Sequence, residues 1–262
     1  MSTAPPPIAA PVPPAGQPAQ AGLSEASRLI NTFFAPRKTF EDLQRNSSWW
    51  VPWLVATIFG ILFSVVFVQK IDMVRFTRQQ IEQSKLAQRQ MDQLSPEQQE
   101  RAIQQRAAIN KVVFYISPVF GLIGGLIMAA ILMAVFNFGF AAEIPFGRAL
   151  AVVFYSFLPR IIVVTLLVVS LWVAADPNTI DIANNPMPTN PAFFMDQQGN
   201  KFIYGLLSWI DIFALWVTVL LGLGFSAASP NRKLTPKTTI ATMLVLYGIV
   251  ALIGAGLKAA FS

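Results

Sequence analysis

The chain contains no cysteine and no histidine. Those absences exclude Ser-His-Asp and Cys-His catalysis, zinc sites built on Cys or His, His-ligated haem, iron–sulfur clusters and disulfides. Charge is scarce too. Only 12% of the 262 residues are Asp, Glu, Lys or Arg, against 54% hydrophobic. A soluble domain carries about 25% charge and about 45–50% apolar residues. The mean hydropathy of +0.54 agrees, and the composition argues against a soluble globular protein. The formal net charge is +6. In so apolar a chain this points to anionic lipid at a membrane surface and not to nucleic acid.

Residues 1–22 hold seven prolines and no charge. Such a stretch cannot bury enough apolar surface to offset its ordering entropy. It reads as a disordered polyproline-like tail, a linker more readily than a ligand for a proline-reading domain. It has neither the basic start nor the apolar core of a signal peptide.

Residues 23–48 change character. Ser24 is placed to cap a helix with Leu29, Ile30, Phe33 and Phe34 on one face, and Ala35-Pro36 breaks it. A second short piece follows, with Phe40 and Leu43 three apart. Two readings stand side by side. One is an amphipathic segment in the headgroup region with Arg28, Arg37, Lys38 and Arg45 pointing out. The other is a packing cap on a helix bundle. Trp49, Trp50 and Trp53 then mark where the chain enters the bilayer, as indoles prefer that interface.

Apolar runs cover 50–68, 112–137, 149–174, 203–226 and 238–260. The first is at the short end of the roughly 17–25 residues that a span requires, and the other four are long enough with some tilt. The expected fold is all-α: a polytopic membrane protein with five transmembrane helices in 49–262 and its termini on opposite sides. Between the first two spans, residues 69–111 are rich in Gln, Glu, Lys and Arg and contain no Gly. These are good helix formers. Ser95-Pro96-Glu97-Gln98 reads as a capping box with Pro at the first helical position. The segment is expected to be a helical hairpin continuous with both flanking spans, either a partner-binding stalk or a solvated hairpin. Residues 175–201 hold four prolines and five asparagines and read as a long irregular loop, with Phe193, Phe194 and Met195 returning to the interface.

Basic residues near span ends mark the cytoplasmic side. Leaving the hairpin aside, Arg28, Arg37, Lys38, Arg45, Arg148, Arg232, Lys233 and Lys237 fall on the N-terminal side, against Lys201 and Lys258 opposite. The expected orientation has the N-terminus cytoplasmic and the C-terminus outside.

Two charges lie inside runs, Arg160 in the third and Asp211 in the fourth. A lone charge at mid-bilayer costs about 2.5–3.5 kcal/mol on insertion scales. Counted from the run ends, both fall at similar depth, which suggests an ion pair, either structural or part of a relay. Pro159 is expected to bend the third span and free the carbonyl of Tyr155. Gly121, Gly125 and Ala129 form a small-residue stripe, for packing within the bundle or for a dimer face. No paired carboxylates stand at catalytic spacing, and no nucleotide loop, cofactor site or metal site is legible.

The run Phe34-Ala35-Pro36-Arg37-Lys38-Thr39-Phe40 with Leu43, then Trp50-Val51-Pro52, resembles the opening of the Yip1 domain family. Arg148–Val153 through Tyr155-Ser156-Phe157-Leu158-Pro159 resembles its middle span, and Ile210–Trp216 followed by Gly222 resembles its fourth. The resemblance covers about residues 25–262. It implies five spans with a cytosolic N-terminus. Eukaryotic relatives are tied to Rab GTPases and vesicle traffic and carry an Asp-Leu-Tyr-Gly-Pro signature before the spans. This chain lacks the signature there, so the resemblance implies the bacterial branch and no Rab-type partner. The functional expectation is a non-enzymatic scaffold or adaptor in a bacterial cytoplasmic membrane, acting through protein partners. The alternative is a small permease component using Arg160 and Asp211.

Overall fold

The computed structural model describes residues 22–180, 185–196 and 199–261; the expected tail at 1–22 lies outside them except for its last residue. Eleven α-helices are described and no strand. The first two helices, α1 (Glu25–Phe34) and α2 (Pro36–Asp42), begin where the sequence places them. The Ser27 amide donates to the Ser24 hydroxyl at the start of α1, and Pro36 opens α2. The first span is α3 (Trp50–Lys70).

The hairpin differs from expectation on one arm. Its first arm is not continuous with α3, because Asp72 caps a new helix with its carboxylate on the Val74 and Arg75 amides, giving α4 (Met73–Glu82). Ser84 interrupts again and caps α5 (Lys85–Asp92). The second arm is continuous: α6 runs from Pro96 to Phe140, 45 residues behind the Ser95–Gln98 capping box. At 1.5 Å per residue α6 is roughly 68 Å long, more than twice a hydrocarbon core of about 30 Å. Its polar first third, residues 96–111, therefore stands clear of the membrane. There Ile81, Met91 and Ile103 close a small core of their own. Arg78 pairs with Glu100, and the Asn110 amide donates to Thr77 and Gln80, so α4 is laced to α6. We call this unit the head.

The third and fourth apolar runs are each split. The third becomes α7 (Phe146–Ser156) and α8 (Arg160–Val173), and the fourth becomes α9 (Lys201–Ser208) and α10 (Ile212–Ala228). The last helix is α11 (Pro236–Phe261). Four stretches are long and apolar enough to cross a membrane, α7–α8 counting as one; the α9–α10 pair, bent by 52°, is a fifth if it is one crossing. On the near face, which also holds α1 and α2, Gln44 and Arg148 donate to the carbonyls of Ala227 and Ala228 at the end of α10. Ser229 donates to Ala142 (2.7 Å). On the far face the Asp72 amide donates to the Asn178 side chain (2.8 Å), and Arg75 lies 3.7 Å from Asp176. The backbone and side-chain amides of Asn178 hold the Asp176 carboxyl below the ordinary aspartate range.

The main core joins α2, α6, α7 and α10 through Phe40, Leu43, Phe136, Val152, Tyr155 and Phe225, all essentially inaccessible. The outward faces of the spans are apolar as well: Ile58, Ile116, Ile131, Val169 and Ile253 are exposed. A surface apolar outside as well as inside belongs in lipid. This is an integral membrane protein.

Helices α10 and α11 touch backbone to backbone at Gly222, where an added Cβ would lie 2.6 Å from the Ile240 Cα. No rotamer change relieves a clash with backbone. Gly222→Ala is expected to cost about 1–3 kcal/mol as an overpacking change, read as a lower melting temperature in detergent. Gly121→Ala, with open space around the same atom, is expected to leave the melting temperature unchanged.

Candidate functional site

Asp211 and Arg160 do not meet as an ion pair among the described residues. Asp211 is the N-cap of α10, its carboxylate accepting from the Ala214 amide at 2.8 Å. The helix N-terminus offers that charge a favourable field and a donor. Arg160 opens α8 after Pro159 and is exposed. The depth match read from run ends assumed straight helices. Along the helices, Asp211 lies roughly 25 Å from the near end of α10 and Arg160 roughly 20 Å from the near end of α7. Both charges act electrostatically on Tyr247, whose hydroxyl donates to the Trp209 carbonyl in the α9–α10 break (2.6 Å). The far loop enters this break too: the Ile212 amide donates to the Thr189 carbonyl (3.1 Å). The carbonyl of Tyr155, freed by Pro159, is taken by the Leu158 amide (3.2 Å) and not by Arg160.

The small-residue stripe packs inside the bundle over most of its length. Phe154 of α7 fills the space at Gly125, Ala129 is fully buried, and Gly121 faces open space. Of the tryptophans, Trp49 stacks on Phe154 (5.8 Å) and packs with Trp53 against the main core, while Trp50 is 55% exposed.

The most connected polar cluster was not read from the sequence. Arg28, expected among outward-pointing bases, is 2% exposed. Its guanidinium pairs with Asp42 (2.7 Å) and with Glu25 (3.1 Å). The other Glu25 oxygen accepts from the Tyr155 hydroxyl (2.8 Å). Thr32 and Thr39 both donate to the Arg28 carbonyl, and the Leu23 amide reaches Asp42. This cluster ties α1 to α2 and to α7. Burial opposes the Arg28 charge, but the hydrogen bond to Asp42 and the fields of Glu25 and Asp42 outweigh it and hold the group above the ordinary arginine range. Arg37 and Lys38 point outward as expected, with Arg37 pairing Glu41 (2.7 Å). The apolar face of α1 divides. Leu29 and Phe33 pack on the core, while Ile30 and Phe34 are 60% and 85% exposed. The segment is thus a packing cap that still turns an apolar edge outward.

Beside Glu25 a groove of about 520 Å³ opens, lined by Glu25, Asn46, Ser47, Ser48, Trp49 and Trp50. The Ser48 hydroxyl is buried there without a hydrogen-bond partner.

The model of the Yip1 domain matches residues 30–257, from within α1 to near the end of α11. The chain belongs to the Yip1 domain family. No curated protein and no solved structure matches it. The match takes in every span and the head, so the buried cluster and the groove lie at the entrance to the Yip1 domain. Nothing in the family match or in the setting of Arg160 and Asp211 favours the permease alternative.

Proposed function

We propose that this Yip1 domain protein is a membrane scaffold or adaptor that engages protein partners through its head. The observation that carries the reading is the unbroken helix α6, which joins membrane packing at Phe136 to the head core at Ile103. The head is thereby joined to the membrane bundle by one helix, and its own core at Ile81, Met91 and Ile103 forms without a partner. A preorganised surface spends less entropy on association. Its outer surface carries Leu86, 58% exposed, among Arg89, Gln90 and Gln93. An exposed apolar residue with a polar rim suits a protein contact. The membrane is taken to be a bacterial cytoplasmic one, with the near face cytoplasmic and the head outside; the basic residues clustered at the near-face ends of the spans support that orientation.

The test is a photo-reactive amino acid placed at Leu86, with a second chain carrying it at Ile249 on the lipid-facing side of α11. Irradiated native membranes are expected to yield a discrete protein adduct from the head position only, and Arg89→Glu should weaken it. Absence of any protein adduct at the head, with adducts at Ile249, would remove the adaptor reading.

A further inference from the structure

We infer that the chain pairs with a second copy of itself inside the membrane, Arg160 of each copy meeting Asp211 of the other. Both charges stay unneutralised within one chain. Arg160 stands at the middle of the apolar Phe146–Val173 stretch and is exposed, with no ion-pair partner among the described residues. Asp211 is half-buried. One of its carboxylate oxygens caps α10, and the other accepts no hydrogen bond among the described residues. An exposed arginine at the middle of a span meets hydrocarbon, where a lone charge is costly. Charges inside membranes pair with one another or face a polar cavity.

The two charges belong to one patch. Arg160 opens α8 and Asp211 caps α10, and those two helices touch. Tyr247 of α11 is within electrostatic reach of both charges, and its hydroxyl donates to the Trp209 carbonyl, two residues before Asp211. The surroundings are apolar and open. Phe157, one turn before Arg160, is 36% exposed, and Ile210 and Ile212, on either side of Asp211, are 47% and 64% exposed. Helices gain no hydrophobic drive to associate in lipid, so polar groups that bond across an interface supply much of it.

The charge pattern selects a second copy. One positive and one negative charge make the patch complementary to itself. A two-fold axis along the membrane normal keeps every residue at its own depth. Arg160 and Asp211 lie roughly 20 and 25 Å from the near-face ends of their spans, and the long arginine side chain covers the difference. A two-fold interface makes each contact twice, so both bridges form together and no charge is left over. Ile249 lies two residues beyond Tyr247, about 200° round α11, and so stays outside the patch.

The test uses full chains with two different affinity tags, co-expressed in one membrane and solubilised in mild detergent. Wild-type chains are expected to co-purify and to give a dimer by native mass spectrometry. Arg160→Asp alone and Asp211→Arg alone set like charges against each other across the interface, and each should lower the dimer about tenfold. Co-expressing one chain of each kind restores both bridges and should restore the dimer. Asp211→Arg also removes the α10 cap, so a thiol test that spares both charges stands beside it. Because the chain has no cysteine, a short bifunctional thiol reagent should join Phe157→Cys in one chain to Ile212→Cys in the other in native membranes. Two Ile249→Cys chains should stay unjoined. Absence of the Phe157–Ile212 cross-link would overturn the inference. So would single charge variants that dimerise as well as wild type, or recovery in a chain carrying both charge changes but not in the mixture.

Discussion

A chain shortened to begin at Trp49 is expected to lose most of its melting temperature in detergent, or to fail to purify as a monodisperse protein, while one beginning at Leu23 behaves as full length. Deleting residues 1–48 removes Phe40 and Leu43, both fully buried in the main core. Each such side chain contributes about 1.5–3 kcal/mol on burial. It also strips Glu25 from the buried Tyr155 hydroxyl, takes the Gln44 amide from the Ala227 carbonyl and takes the Gln44 carbonyl from Arg148. Starting at Leu23 keeps all of these, including the Leu23 amide bond to Asp42. Equal stability of the two shortened chains would mean that α1 and α2 do not pack as described.

Asp42→Ala is expected to destabilise the protein by about 1.5–3 kcal/mol, the usual worth of a hydrogen bond to a charged group, since Glu25 still pairs the guanidinium. The pair is enclosed, with side-chain exposures of 3% for Arg28 and 8% for Asp42. The loss comes chiefly from a guanidinium left underpaired in the protein interior. Adding Arg28→Met should therefore recover part of it. A double-mutant cycle on melting temperatures, each variant purified in the same detergent, reads the coupling. Strict additivity of the two losses would show that the pair is not coupled. Asp42→Asn keeps hydrogen-bonding capacity and should fall between wild type and alanine.

Much of this fold was legible because the signals are local. Ser24, Pro36 and the Ser95–Gln98 box announce helix starts within a few residues of themselves, and the structure places starts there. Long apolar runs announce spans because the bilayer sets their length. What escaped was hidden by that same apolarity. Within 203–226 the Asp211 side chain looked like a buried charge in need of a partner, although an Asp ahead of an apolar stretch is also a helix cap. Reading it as a cap would have placed the α9–α10 break. Asp72 and Ser84 carry the same signal in the head, ahead of α4 and α5, but the surrounding Gln, Glu, Lys and Arg favour helix on both sides of each cap. Pro159 was read as a bend, yet Phe157, Leu158 and Pro159 form a full turn between α7 and α8.

The near-face cluster could not be reached by periodicity. Arg28 and Asp42 lie on separate helices 14 residues apart, and Tyr155, in the third span, is 130 residues from Glu25. Only the fold of α1 against α2 converts a surface-like arginine into a buried one. The amphipathic pattern of α1 was real, but it answered half the question. Leu29 and Phe33 face the protein and Ile30 and Phe34 face away, and the sequence marks all four alike.

The central claim is a bundle that carries its head on the face opposite the 229–235 loop. Because the chain has no cysteine, single cysteines report cleanly. Gln93 in the head and Lys233 in the near-face loop are both exposed. With an impermeant thiol reagent added to intact cells, Gln93→Cys is expected to be labelled at once, and Lys233→Cys only after the membrane is opened. Labelling of both positions in intact cells, or of neither, would contradict the opposed faces, and labelling of Lys233→Cys alone would reverse the proposed orientation.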